Sequence, residues 1–286
     1  MDLVAGAGVA VGTAGRPALL KRVASALVLL PVFLLIVVKA PGWMFNALVV
    51  VASALALWEL TRLFEQGGRP VYRTLGVVAG TMVTAAFAAA HPFEAMTLPA
   101  LALALAAGAV LAAPLWDRAP ATEPAANTLL AVLYVGWLLG YGILLHERSP
   151  LGDELVLFLV GVTWIGETSA YLVGSTLGRH KLAPVISPKK TVEGAVAQVV
   201  MSVISGLALG AWLLPQCGTM VAVAGGALVG VVGQVGDLAE SVIKRSVGTK
   251  DTGGIIPGHG GVLDRIDSLL FNLPAFYYFT LVAGCR

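Results

Sequence analysis

From Gly236 to Ser268 the chain reads GDLAESVIKRSVGTKDTGGIIPGHGGVLDRIDS, a run of acids, bases and seven glycines set between apolar stretches. Asp237, Glu240, Ser241 and Lys244 fall at i, i+3, i+4 and i+7, so a helix carries all four on one face. Asp264, Asp267 and Ser268 repeat the first three positions of that spacing. Two helices are therefore expected to end in facing polar stripes. Between them Gly253, Gly254, Pro257, Gly258, Gly260 and Gly261 interrupt regular helix and let the backbone approach a ligand closely. Asp237 and Asp264 are candidate ligands for a hard cation such as Mg2+, which takes one or two carboxylates and completes its shell with water and phosphate oxygens. Asp267 and Glu167 are further candidates for the same cluster. Lys244, Arg245, Lys250 and Arg265 supply charge to neutralise phosphate, with Ser241 beside them. Acids for metal together with bases for phosphate is the composition of a phosphoryl or nucleotidyl transfer site, where catalysis is mainly positioning and charge stabilisation. A plain cytoplasmic loop with topogenic basic residues is the bland alternative, and carboxylates at both ends speak against it. His259, among the glycines, either donates to a phosphate oxygen or shapes the turn.

A second constellation runs from Trp164 as WIGETSAYLVGSTLGRHKLAPVISPKKTVEG. Glu167, Tyr171, Gly174, Ser175 and Gly178 form one polar or small stripe along a helix. A carboxylate well within a membrane span costs about 2.5–3.5 kcal/mol on insertion scales, so Glu167 needs a partner. That partner is either a cation or base in a water-filled cavity, or another helix that hydrogen-bonds a protonated carboxyl. The glycines equally suit close helix packing. Ser187, Lys189, Lys190 and Thr191 can cradle phosphate, or flank the next span as positive charge on the inner side.

The elements that position these residues are transmembrane helices. Hydrophobic residues make up 58% of 286, charged residues 12%, and the mean hydropathy is +0.88. Residues 1–21 read as a Gly/Ala-rich tail without the order of a secretory signal. Residues 22–286 read as a single all-α polytopic membrane domain, with about 155–284 carrying the site. Nine spans are expected, at about 23–38, 43–60, 74–90, 97–115, 127–145, 155–175, 194–214, 219–239 and 267–284. With the N-terminus cytoplasmic and the C-terminus outside, Lys39, Arg148 and Arg286 are the only three of 18 Lys and Arg on the outer side. Cys217 and Cys285 then share the outer face, where a disulfide is conceivable. Nothing in the spacing fixes their separation, and two separate small apolar residues is the preferred reading.

The run Ser241-x-x-Lys244-Arg245-x4-Lys250-Asp251-x5-Pro257-Gly258-His259-Gly260-Gly261-x-x-Asp264-Arg265-x-Asp267 resembles the signature of the phosphatidate cytidylyltransferases, or CDP-diacylglycerol synthases. Ala170-Tyr171, Gly174, Gly178, His180-Lys181-Leu182, Ser187-Pro188, Lys190-Thr191 and Glu193-Gly194 resemble a second block of the same family, which usually has Asp where Glu167 stands. In the amino-terminal half the likeness is confined to hydropathy and to Trp58-Glu59. The resemblance implies transfer of CMP from CTP to phosphatidic acid, with Mg2+ and a second, monovalent cation such as K+ as cofactors. It also implies a homodimer in a bacterial inner membrane with its site facing the cytoplasm, and no nucleic-acid partner. Two rivals remain at this stage. A CTP-dependent polyprenol or phytol kinase needs similar groups at the inner face, whereas a transporter places its charges at the midplane of related halves.

Overall fold

The computed structural model describes residues 15–89, 96–117, 122–249, 252–253 and 260–285, with side chains from residue 27 onward except at 116 and 117. Lys250 and His259 lie outside the described residues. The chain folds as α1 (Gly15–Lys39), α2 (Gly42–Gln66), α3 (Arg73–Ala88), α4 (Thr97–Asp117) and a rod from Glu123 to His146. That rod comprises α5 (Glu123–Ala131), a π-helical segment (Val132–Trp137) and α6 (Leu138–His146). Then follow α7 (Gly152–Thr176), β1 (Lys181–Ala183), β2 (Ser187–Thr191), α8 (Val192–Leu213), a 3-10 turn (Pro215–Cys217), α9 (Thr219–Ser246) and α10 (Leu263–Val282).

Each expected span falls on one of these rods. Among the described residues, six are long and apolar enough to cross a membrane: α2, α4 to Leu115, the Glu123–His146 rod, α7, α8 and α9. Two of the other three expected spans meet shorter apolar helices, Leu27–Lys39 and Arg73–Ala88. The third meets α10, whose first turns carry Asp264, Arg265 and Asp267. Leu105 and Leu111 of α4 and Val196, Val200 and Ile204 of α8 point outward and exposed, as contact with lipid tails requires. Leu57, Leu60, Phe87, Ile143, Leu155, Phe158 and Phe276 are fully buried between helices.

Close crossings set the geometry. α8 and α9 meet through small residues: a Cβ on Gly226 would lie 2.4 Å from the Ser202 carbonyl oxygen, and one on Gly206 2.8 Å from the Gly226 Cα. α3 crosses the π-helical segment where Gly80 touches Gly136, and Thr84 there donates to the Gly136 carbonyl at 2.8 Å.

Two features depart from the sequence-based expectations. Residues 181–191 form a two-stranded antiparallel hairpin on an otherwise helical frame. Ala183 and Ser187 each precede a proline, which pushes them into extended backbone. Cys217 and Cys285, read from sequence as separate apolar residues, are joined by a disulfide with their Cα atoms 4.9 Å apart. The turn between α8 and α9 and the end of α10 meet at the end of the bundle opposite the glycine loop, a juxtaposition that a separation of 68 residues does not reveal. Beside it Arg148 donates to the Thr280 hydroxyl at 2.7 Å and to the Cys285 carbonyl at 2.9 Å.

Candidate functional site

The last turns of α9 and the first turns of α10 form the centre of the site. A Cβ on Gly236 would lie 2.9 Å from the Asp267 carbonyl oxygen and 3.1 Å from the Ser268 Cα, so the two helices touch backbone to backbone. The absence of a side chain at 236 is what brings the two polar stripes together. Carboxylate oxygens of Asp237, Glu240 and Asp267 all lie within 4.8 Å of one another. Glu240 is fully buried, and its Oε1 has no hydrogen-bond partner. A buried, orphaned carboxylate oxygen beside two other carboxylates is the donor set that a hard cation takes.

The arrangement differs from the pairing suggested by spacing, in which Asp237 and Asp264 are the principal ligands. Asp264 lies one step away. Lys244 Nζ bonds both the Glu240 carboxylate and Asp264 Oδ1, the latter at 3.0 Å. Asp264 Oδ2 accepts from the backbone of Gly261 at 3.0 Å and of Thr252 at 3.4 Å. Asp264 thus couples the cluster, through Lys244, to the ends of the glycine loop. Glu240 stands in the cluster where Asp264 is expected; its place on the Asp237 face of α9 is readable from spacing, but its rank against Asp264 is not.

The hairpin closes over this centre. Lys190, on β2, forms an ion pair with Asp237 at 2.7 Å. Thr191 caps α8 by accepting from the Gly194 amide, so strand passes into helix with the side chain turned inward. The helical stripe expected from Glu167 to Gly178 stops short, since α7 ends at Thr176. A Cβ on Gly174 would lie 3.1 Å from Thr191 Oγ1 and one on Gly178, just past the helix, 2.6 Å from Thr191 Cγ2, so these two glycines form the bed on which the end of the hairpin lies. Glu193, which sequence reasoning did not assign, accepts from the amides of Arg179 and His180 and pairs with His180 Nδ1 at 2.7 Å, tying the two ends of the hairpin together.

Between α7, α8, α9 and the hairpin lies a cavity of about 510 Å³ lined by Glu167, Tyr171, Lys181, Lys189, Lys190, Thr191, Gln234 and Asp237. Glu167 therefore faces an open cavity rather than a sealed helix interface. Ser187 stands opposite Ala183 at the start of β2 and is not among the lining residues. Ser241 is nearly buried on α9, and Arg265 is exposed at the start of α10. Arg245 donates to the Ile186 carbonyl at 3.0 Å and the Thr249 carbonyl at 2.9 Å, bracing the hairpin against the end of α9. A carboxylate cluster opening into a lysine-lined cavity of this size can hold a cation and the phosphates it bridges.

Known proteins resemble this chain in sequence. The chain is 43% identical over 152 residues to the uncharacterized protein YnbB of Escherichia coli (strain K12), covering 53% of this chain and 50% of that protein. It is 43% identical over 150 residues to a phosphatidate cytidylyltransferase of Staphylococcus saprophyticus, and 41% identical over 150 residues to that of Staphylococcus aureus (strain COL). Each of these two matches covers 52% of this chain and 56% of the relative. The chain thus spans about half the length of the curated relatives it matches. A model of the cytidylyltransferase family matches residues 20–283, taking in both polar constellations and every helix that positions them, and the chain belongs to that family.

Proposed function

We propose that this membrane-embedded nucleotidyltransferase moves CMP from CTP to phosphatidic acid, yielding CDP-diacylglycerol and pyrophosphate for phospholipid synthesis. The observation that carries the reading is a cluster of three carboxylates, one of which, Asp237, lines a cavity walled also by Lys181, Lys189 and Lys190. In this reading a phosphate oxygen of phosphatidic acid attacks the α-phosphorus of CTP. The bond from that phosphorus to the bridging oxygen breaks, and pyrophosphate leaves with the electron pair. A phosphomonoester dianion is already a competent nucleophile, so no serine or cysteine nucleophile is called for.

Asp237, Glu240 and Asp267 are the residues that would hold Mg2+, with Glu167 lining the same cavity and Asp264 supporting through Lys244. The bound ion would neutralise charge on the nucleotide phosphates and the departing pyrophosphate. A monovalent cation such as K+ is proposed for the same acidic region. Lys189, Lys190 and Thr191 would orient phosphates from the hairpin side, and Lys244 would hold Glu240 and Asp264 in place. Arg265, together with Lys250 and His259 beyond the described residues, would meet the phosphates entering from the loop side. The protein is proposed to sit in a bacterial inner membrane as a homodimer, with the cavity on the cytoplasmic side.

Purified protein incubated with phosphatidic acid, Mg2+ and CTP labelled at the α-phosphate is expected to place the label in a CDP-lipid. In a parallel reaction with CTP labelled at the γ-phosphate, label appearing in a lipid phosphate, with none from the α-phosphate in lipid, would replace this reading with a CTP-dependent lipid kinase. For sidedness, Arg69→Cys is expected to be shielded from an impermeant thiol reagent in intact cells and Ser149→Cys to be labelled. The reverse pattern contradicts the cytoplasmic assignment.

A further inference from the structure

Glu59 reaches the site from the amino-terminal half of the chain, more than 200 residues away in sequence. It sits on α2, is 1% exposed, and its Oε2 accepts from the amide of Leu263 at 2.9 Å. Leu263 is the first residue of α10, so this bond satisfies one of the amides that a helix start leaves open, and a carboxylate there is favoured by the helix dipole. The same carboxylate is enclosed by both described ends of the glycine loop. A Cβ on Gly253 would fall 2.7 Å from Glu59 Oε1, and one on Gly261 2.7 Å from Oε2 and 2.9 Å from Oε1. Glycine at these two positions lets the loop close on the acid without displacing its carboxylate. From the other side Asp264 accepts from Thr252 and Gly261, the residues adjoining those same contacts.

Two carboxylates from distant parts of the chain therefore grip one pair of loop ends. Asp264 also faces Lys244, and Lys244 bonds Glu240 of the acidic cluster. A buried carboxylate is costly unless it is used, and among the described residues Glu59 Oε1 has no hydrogen-bond partner.

We propose that Glu59 is a positioning residue for the transfer reaction: it fixes the start of α10 and the ends of the glycine loop, and so sets Asp264 against Lys244. The inference rests on the cytidylyltransfer reading of the site. Its test pairs turnover with a readout independent of turnover, the rate at which a maleimide modifies Thr252→Cys, a position only 6% exposed.

Glu59→Gln keeps the size and an acceptor for the Leu263 amide, whereas Glu59→Leu keeps the size without one. Glu59→Leu is expected to lower kcat roughly 10- to 100-fold, the effect of leaving a buried amide unpaired, with KM for phosphatidic acid within about twofold of native. In the same background Thr252→Cys is expected to react at least about 10-fold faster. Glu59→Gln is expected to stay within about threefold of native in both measures. If Glu59→Leu does not survive purification, Glu59→Asp takes its place, since one methylene less breaks the Leu263 bond, and the same fall in kcat is expected. Native kcat in Glu59→Leu or Glu59→Asp, or thiol reactivity that does not change with the loss of turnover, overturns the proposal. If the native protein makes no CDP-lipid, the reaction reading fails by itself, and the thiol rates still decide whether Glu59 holds the loop.

Discussion

The two ends of the α7–α10 bundle are fastened in different ways. At one end a disulfide joins Cys217 to Cys285, Arg148 bonds a hydroxyl and a carbonyl, and Tyr141 and Tyr278 share a hydrogen bond at 3.0 Å. At the other end the fastenings are ionic: Lys190 to Asp237, and Lys244 to both Glu240 and Asp264. A covalent bond and hydrogen bonds to uncharged partners hold one arrangement, whereas ion pairs at a cavity wall can be exchanged for a cation or a phosphate at modest net cost. In the proposed reading, the difference separates an end built for permanence from an end built for substrate exchange.

Removing charge from the exchangeable end is expected to have the largest effect. Asp237→Asn and Glu240→Gln each keep the side-chain volume and remove a carboxylate, and each is expected to lower kcat by roughly 10²–10³-fold while elution from a sizing column stays native. Activity near native in Glu240→Gln at saturating Mg2+ would return the principal ligand role to Asp264.

Glu167 offers a finer cut. Since it lines the cavity, negative charge within reach should matter more than exact length. Glu167→Asp is expected to retain substantial turnover, and Glu167→Gln to lose most of it. Full activity in the Gln variant makes Glu167 a structural residue. Lys190→Ala is expected to act mainly on substrate handling, raising KM for CTP by roughly 10-fold, the scale of one charge-assisted contact. An unchanged KM would confine Lys190 to its pair with Asp237.

At the permanent end, the double variant Cys217→Ser with Cys285→Ser is expected to leave turnover at 25 °C near native. Its cost in stability is expected to be about 2–4 kcal/mol, read as a lower melting temperature in detergent. A large loss of turnover at unchanged melting temperature would show that the two ends are coupled.

Much of the exchangeable end was legible in the sequence because helical spacing alone puts Asp237, Glu240, Ser241 and Lys244 on one face. The ranking within that face was not. It depends on where α9 crosses α10, and that crossing is set by the bare backbone at Gly236 rather than by any acid. The hairpin was hidden for a related reason: Pro184 and Pro188 announce extended backbone, but β1 and β2 are short and only packing on Gly174 of α7 and on Gly178 just beyond its end defines them. The helical rods were legible from apolar length. The contacts of Glu59 with Leu263 and of Cys217 with Cys285 were not, since both join segments far apart in the chain whose meeting follows from the packed bundle alone.

The most direct measurement compares native protein and Glu240→Gln, purified side by side, in one assay with phosphatidic acid, Mg2+ and CTP labelled at the α-phosphate. The account predicts label in a chloroform-extractable CDP-lipid with the native protein and a loss of roughly 10²-fold or more with the variant. Equal incorporation by both, or none from the α-phosphate by the native protein, would contradict it.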